Sequence, residues 1–251
     1  MKIAVAGGTG AVGRHVVDVA HERGHDVVVL TRSTGVDLVA GHGLDAVLAG
    51  VDAVIDVASV QTVSAKAARR FFGVATRNLF AAEEAAGVRH HLALSIVGVD
   101  DASYGYYAGK LLQEQLVEAG RVPWTLLRAT QFHEFASQIH QRMKMGPFVT
   151  VPAMRSQPVA AREVGERLVD LAEGGPAARV RDLAGPREER MSDLAGRWAK
   201  AAGRAGRVVE LPLPGGFGRA MRDGTLLPGH DADLGRQTFD EWLASVAHRR
   251  Q

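Results

Sequence analysis

The stretch AGGTGAVG, Ala6 to Gly13, constrains this 251-residue chain more than any other, because it sets Gly7, Gly10 and Gly13 at the spacing G-x-x-G-x-x-G. Before it, Lys2 to Gly7 is a short apolar run that reads as a strand. After it, residues 11–23 place Val12, Val16, Val17, Val19 and Ala20 on one face of a helix. Between a strand and a helix, glycines let the backbone turn tightly and approach a pyrophosphate, whose charge then rests on the N–H groups of the first helical turn. Gly7, Thr9, Gly10, Val12 and Gly13 are therefore expected to hold a dinucleotide.

The rest of the first half repeats the alternation. HDVVVL (25–30), DAVIDVA (52–58), HHLALSIV (90–97) and WTLLRA (124–129) are apolar runs of strand length. Helical stretches lie between them, near 42–50, 65–87 and 107–120. Strands that are apolar throughout, alternating with helices, predict a parallel sheet covered on both faces, a Rossmann-type doubly wound α/β fold. Beyond about residue 130 the pattern loosens, with more Gly, Pro and Arg. The expected organisation is a dinucleotide-binding core over 1–135 and a small substrate lobe over 136–251, in one compact unit.

Composition narrows the functional classes. The 25 arginines are dispersed among 28 acidic residues with a net charge of +2, which gives nucleic-acid binding little support. The absence of cysteine excludes disulfides, thiolate nucleophiles and thiolate metal sites. Gly7, Gly8, Gly10 and Gly13 would spoil a signal helix, and Asp52 and Asp56 interrupt the most hydrophobic region, so a soluble, cytoplasmic protein without a membrane partner is expected. Oligomerisation is left open.

At the end of the second strand, VLTRS offers no carboxylate for an adenine-ribose hydroxyl. Arg32 stands there instead, flanked by Thr31, Ser33 and Thr34. A cation among hydroxyls suits the 2′-phosphate of NADP(H), which a carboxylate would repel, so NADP(H) is preferred and NAD(H) remains possible. By position alone, Asp37 and Leu38 border the adenine, and Ala58 and Ser59 lie along the phosphate and ribose path.

GYYAGK, Gly105 to Lys110, opens the helix after the LALSIVG strand. Tyr106 and Lys110, at i and i+4, share a helix face, although Tyr107 at i+3 reaches it too. A phenol near pKa ~10 needs a cation to act at neutral pH. Lys110 is expected to supply that cation and to hold the nicotinamide ribose, Tyr106 to handle the proton, and Ser95, at the strand's end, to orient a substrate carbonyl. Gln131, Phe132 and His133, in ATQFHEF, are candidate substrate contacts. HERGH (21–25) matches the zinc-binding string H-E-x-x-H, but Gly24 breaks the helix that string requires, and His90 and His91 point to opposite faces of a strand. No metal is expected.

The pieces AVAGGTGAVG, VVVLTR, GVDAVID, NLFAAEEAAGV, LSIVG, YYAGKLLQEQL and PWTLLRATQFHEF, in this order over residues 1 to about 135, resemble an atypical short-chain dehydrogenase/reductase of the NmrA-like, NAD(P)H-binding group. The resemblance implies a Rossmann domain with a small C-terminal substrate lobe. It also implies an enzyme, because the Tyr/Lys pair is kept where some members have lost it. The chain departs from the pattern in one respect: Asn78, its single asparagine, lies on the long helix, away from where many short-chain dehydrogenases relay protons. The expected function is NADP(H)-dependent reduction of a carbonyl, quinone or enone of a small, fairly apolar molecule. The alternatives are a non-catalytic NADP(H)-binding redox sensor of a partner protein and a cofactor-retaining isomerase or epimerase.

Overall fold

The computed structural model describes residues 1–248. Along the chain run β1 (Lys2–Ala6), α1 (Gly13–Glu22), β2 (Asp26–Leu30), α2 (Leu44–Val47), β3 (Ala53–Asp56), α3 (Ala65–Ala86), β4 (His90–Ile96), α4 (Gly105–Glu118), β5 (Trp124–Ala129) and α5 (Glu134–Arg142). There follow β6 (Lys144–Met145), β7 (Phe148–Pro152), β8 (Arg155–Ser156), α6 (Ala161–Gly174), β9 (Ala178–Arg179), β10 (Leu183–Ala184), β11 (Glu189–Arg190), α7 (Met191–Ala201), β12 (Arg207–Leu211), α8 (Gly215–Asp223), β13 (Asp233–Leu234) and α9 (Phe239–His248).

The chain divides into two compact units, Met1–Arg128 with Arg162–Arg181, and Ala129–Ala161 with Asp182–Gln251. In the first, the strands lie in the order β2-β1-β3-β4-β5, with β9 on β5. The pairings of β1 with β2 and β3, and of β3 with β4, are parallel, aligning Val5 with Val29 and Ile55, and Ile55 with Leu92. This is the Rossmann-like sheet that the apolar runs predict. The order reverses between β1 and β3, and such a reversal opens a crevice outside the strands' carboxyl ends.

The two faces of the sheet are told apart by neighbouring histidines. His91 Nδ1 lies 2.9 Å from Glu83 Oε1 of α3, whereas His90 Nε2 lies 2.8 Å from Thr125 Oγ1 of β5. Successive residues of a strand face opposite ways. By the same alternation Ser95 shares the α3 side with His91. α3 begins at Ser64, whose side chain accepts from the Ala67 N–H, satisfying a donor that a helix start otherwise leaves open.

The single boundary expected near residue 135 is corrected, because the chain crosses between units more than once and α6 belongs with the first. Arg162 pairs with Glu22 at 2.6 Å, Arg23 with Asp170 at 2.7 Å and Glu173 at 2.9 Å, and His25 with Glu173 at 2.8 Å. Exposed pairs contribute little each, but together they fix α6 beside α1. α1 ends at Glu22, so His21 and His25 share no helix face.

His90 makes a testable acid sensitivity. Burial pushes its pKa down to about 4, against the raising effect of a hydrogen bond to the backbone of Ala172. Between pH 6.5 and about 4 the unfolded chain therefore binds more protons than the folded one, and stability falls as pH falls through that window. The loss from this group approaches about 3 kcal/mol at the acid end. His133 and His140, also shifted down, add to it. His91 opposes it, because burial lowers its pKa but the Glu83 carboxylate outweighs that and leaves it raised. Urea unfolding across this pH range should show a shallower slope for His90→Gln than for the wild type.

In the second unit β7 pairs in parallel with β12 and antiparallel with β6, β8 pairs with β11, and β10 pairs with Ala129 and with β13. Its interior is partly aromatic. The His133 ring lies 5.5 Å from Phe239 and 5.7 Å from Trp242, and His140 lies 5.0 Å from Trp198.

Candidate active site

The reversal point is built from three chain segments of the first unit. β1 ends at Ala6, whose carbonyl accepts from the Val57 N–H just beyond β3. Gly7 then turns with φ +80°, and a Cβ there would lie 2.7 Å from Ala58 Cα. Gly10 N–H donates to Gly7 O at 2.9 Å. At Gly13 a Cβ would lie 2.1 Å from the same oxygen. The space that side chains would fill is filled by backbone, and no side chain caps the start of α1. Among its first N–H groups, Arg14 donates to Gly10 O at 3.2 Å and His15 to Val12 O at 2.9 Å, so what the helix start offers a pyrophosphate is its dipole and a closely approaching backbone. Thr9 and Gly10 are exposed on this loop, while Val12 and Gly13 are buried under it.

At the far end of β2, Arg32 is exposed and opens a short 3-10 turn to Thr34. Thr34 Oγ1 donates to Val29 O at 3.0 Å, and the hydroxyls of Thr31 and Ser33 lie 2.8 Å apart. Asp37 does not face outward as a free carboxylate. Its Oδ1 accepts from the N–H groups of Val39 and Ala40 at 2.8 and 2.9 Å, and these bonds, with a weaker pull from Arg32, hold its pKa down. Leu38 is half-buried against the core. Asn78 reaches across from α3 to donate to Leu38 O at 2.9 Å and Val39 O at 3.0 Å. The chain's single asparagine thus ties down the loop after β2.

Tyr106 and Lys110 do share a helix, but not a partner. Tyr106 Oη and Ser59 Oγ lie 2.9 Å apart. The Lys110 ammonium donates to Leu94 O and Gln113 Oε1, and Gln113 Nε2 donates to Asp56 Oδ2 at 2.7 Å. Asp56 Oδ1 accepts from the Ala58 N–H at 2.9 Å. Lys110 is 3% exposed, and its Nζ stands 4.7 Å from the centre of the Phe72 ring, against which Tyr106 packs edge-on at 5.4 Å. Burial pulls Lys110 down to about 8, with Asp56 and Glu114 opposing. Burial also pushes Tyr106 up to about 12, with Ser59 lowering it and Asp56 raising it further.

Lys110 thus has partners of its own, apart from the Tyr106 hydroxyl. The ammonium is held by a backbone carbonyl and an amide inside the unit, because a buried cation must be satisfied where it lies. Gln113, at i+3 from Lys110 and i+7 from Tyr106, is on the same helix face; that spacing was the available sign of its role. Asp56, a carboxylate ending an apolar strand, was another.

Ser95 is 3% exposed, and among the described residues its Oγ has no hydrogen-bond partner. The loop that follows it is clamped. Arg128 of β5 donates to Glu114 of α4 at 2.8 and 2.5 Å and to Asp100 at 2.5 and 3.0 Å. These bonds hold Asp100 below the usual carboxylate range. Tyr107 is 8% exposed, so of the two adjacent tyrosines it is Tyr106 whose hydroxyl meets Ser59.

Gln131, Phe132 and His133 belong to the second unit. Gln131 Oε1 accepts from Ser156 Oγ at 2.8 Å, and Phe132 bridges to Val159. His133 is 1% exposed, and its Nε2 lies 3.0 Å from Gln237 O. That side chain lies in the unit's interior.

A model described as NAD(P)H-binding matches residues 7–173. The chain belongs to this NAD(P)H-binding family. The match takes in the glycine loop, the turn at Arg32, Ser59 and the Tyr106 helix. Two relatives are similar over part of their length. The (4-alkanoyl-5-oxo-2,5-dihydrofuran-3-yl)methyl phosphate reductase of Streptomyces griseus is 34% identical over 144 residues, 52% of this chain and 48% of the relative. The photosystem II assembly factor Ycf39 of Synechocystis is 32% identical over 111 residues, 39% of this chain and 34% of the relative. The chain thus spans half or less of the length of the curated relatives it matches. In fold it is similar to a short-chain dehydrogenase/reductase superfamily protein of Agrobacterium tumefaciens solved with bound NAD, with a TM-score of 0.71, 21% identity and coverage of 100% of this chain and 97% of that one. Among the described residues no helix is long and apolar enough to cross a membrane.

Proposed function

We propose that this NAD(P)H-binding protein is an NADP(H)-dependent oxidoreductase that reduces a carbonyl, quinone or enone in a small, fairly apolar molecule. The observation that carries the reading is the Tyr106 hydroxyl 2.9 Å from Ser59 Oγ, one residue beyond Ala58, which itself borders Gly7. A proton donor is thereby set at the same crevice as the phosphate cradle. When bound, the cofactor supplies hydride.

Gly7, Thr9, Gly10, Val12 and Gly13 hold the cofactor's pyrophosphate by backbone, and Ala58 lines its path. Tyr106, kept protonated by its burial, gives its proton to the substrate oxygen that gains the electron pair. Ser95, buried with its hydroxyl unpaired, orients that oxygen. Lys110 acts at one remove: with Gln113 and Asp56 it fixes α4, and so Tyr106, against β3 and β4. A relative named for reducing an alkanoyl-dihydrofuranone makes the enone the first acceptor to try.

The test is oxidation of NADPH, followed by absorbance, with a panel of enones, quinones, ketones and aldehydes. Saturable turnover with an enone or quinone supports the reading, whereas saturable NADPH binding without turnover of any acceptor sinks it. The second outcome would favour a cofactor-binding sensor of a partner protein, a reading to which the engagement of Lys110 away from the phenol lends weight.

Cofactor preference has its own check. Arg32 is exposed at the end of β2, and a guanidinium there suits a ribose 2′-phosphate. Arg32→Ala should weaken NADPH binding by roughly 10–100-fold, the worth of one or two charge-assisted hydrogen bonds. NADH binding should not change. Equal losses for both cofactors in fluorescence titrations would remove Arg32 from the discrimination.

A further inference from the structure

A tyrosine that gives up a proton in each turnover must regain it, and the reductase reading leaves open by what route. Three other polar side chains of the unit are already committed or enclosed. Lys110 is 3% exposed and donates to Leu94 O and Gln113. Asn78 is spent on the loop at Leu38 and Val39. Ser95 is 3% exposed and enclosed at the end of β4.

Ser59 differs from all three. Its residue is exposed, its Oγ is 2.9 Å from Tyr106 Oη, and a hydroxyl both donates and accepts. Its position is fixed from both sides. Asp56 Oδ1 holds the Ala58 N–H at 2.9 Å, and the loop ahead of α3 closes on the start of α4, where a Cβ on Gly105 would lie 3.0 Å from Val63 O.

We propose that Ser59 is the proton relay of Tyr106, linking the phenol to solvent. The inference rests on the reductase reading. As the substrate oxygen gains an electron pair, the Tyr106 O–H bond breaks and its proton forms the new O–H bond on the substrate. The Ser59 O–H proton passes to the phenolate oxygen, and Ser59 Oγ takes a proton from water. Electrons come as the hydride of reduced cofactor, so each turnover consumes one hydride and one solvent proton. Ser59 touches the acid and not the substrate in this scheme, and is a positioning and relay residue.

Two measurements test it. In the protein without cofactor, carrying ring-carbon-labelled tyrosine, the Tyr106 resonance, assigned by its loss in Tyr106→Phe, should move in Ser59→Ala and return in Ser59→Thr. In the holoenzyme with NADPH and an acceptor, Ser59→Ala should lower kcat by about 10-fold or more, part of the range open to proton-transfer groups. The solvent deuterium isotope effect on kcat should rise, and Ser59→Thr should restore both. An unmoved resonance, or a Ser59→Ala enzyme with wild-type kcat and isotope effect, overturns the relay and leaves the reductase standing. Absence of turnover by the NADPH-loaded wild type removes the reductase and the relay with it.

Discussion

Replacing Tyr106 by phenylalanine should lower kcat by roughly 10²–10⁴-fold, the ordinary worth of a positioned acid, with NADPH affinity unchanged. Phenylalanine keeps the edge-on packing against Phe72 at 5.4 Å and loses only the hydroxyl that meets Ser59, so the variant should fold as the wild type does. The sign of the pH dependence follows from the same environment. With its pKa pushed up to about 12, the phenol is protonated throughout the neutral range and serves as an acid in the direction of reduction. The reductive rate should therefore not fall from loss of this proton as pH rises from neutral towards mild alkali. Lys110, pulled down to about 8, titrates inside that range; a rate that changes near there would report the lysine through its hold on α4. Steady-state kinetics of wild type and variant across the range would separate the two. Retention of full kcat by Tyr106→Phe would end the case for this tyrosine as the acid.

Gly13→Val should abolish NADPH binding over the accessible concentration range, a loss of about 100-fold or more, with about 1–3 kcal/mol of stability lost to overpacking. The added Cβ would lie 2.1 Å from Gly7 O and 2.7 Å from Gly8 Cα, and both are backbone atoms of the loop that receives the pyrophosphate. Neither can move without deforming the cradle. Gly10→Ala should be milder, since its Cβ would meet Gly7 O at 3.1 Å, a contact that a shift of a few tenths of an ångström relieves. Fluorescence titration with NADPH and urea unfolding would rank the two, and a Gly13→Val protein that binds NADPH normally would refute the placement of the phosphates on this loop.

The first unit was largely legible because its signals are local. Apolar runs mark strands, Gly7, Gly10 and Gly13 mark the turn, and the i, i+4 spacing puts Tyr106 and Lys110 on one helix. What escaped reading depended on which groups were already satisfied. Helical spacing shows that Lys110 can face Tyr106, but not that Leu94 O and Gln113 claim its ammonium first. Position along the chain puts Asp37 after β2, but does not show that the Val39 and Ala40 N–H groups bind its Oδ1. The Ser59 and Tyr106 pair joins residues 47 apart, and such contacts leave no periodic trace. The second unit was poorly legible for a related reason: several of its strands are two residues long, too short to show alternation.

The return of residues 162–181 to the first unit bears on how the protein is made. His90 and Thr125 meet at 2.8 Å on the face towards α6, and the Thr125 hydroxyl accepts from the Ala177 N–H at 2.9 Å. A ribosome that has released the chain only as far as β5 has therefore delivered a sheet that α1 covers on this side, while the β4 and β5 end of it is still bare. Domains fold as they emerge, but this one must wait some fifty residues for the rest of that layer, while the intervening segment builds part of another unit. During that interval the apolar strands at that end are the nascent chain's exposed surface, and holding chaperones have their natural point of engagement there.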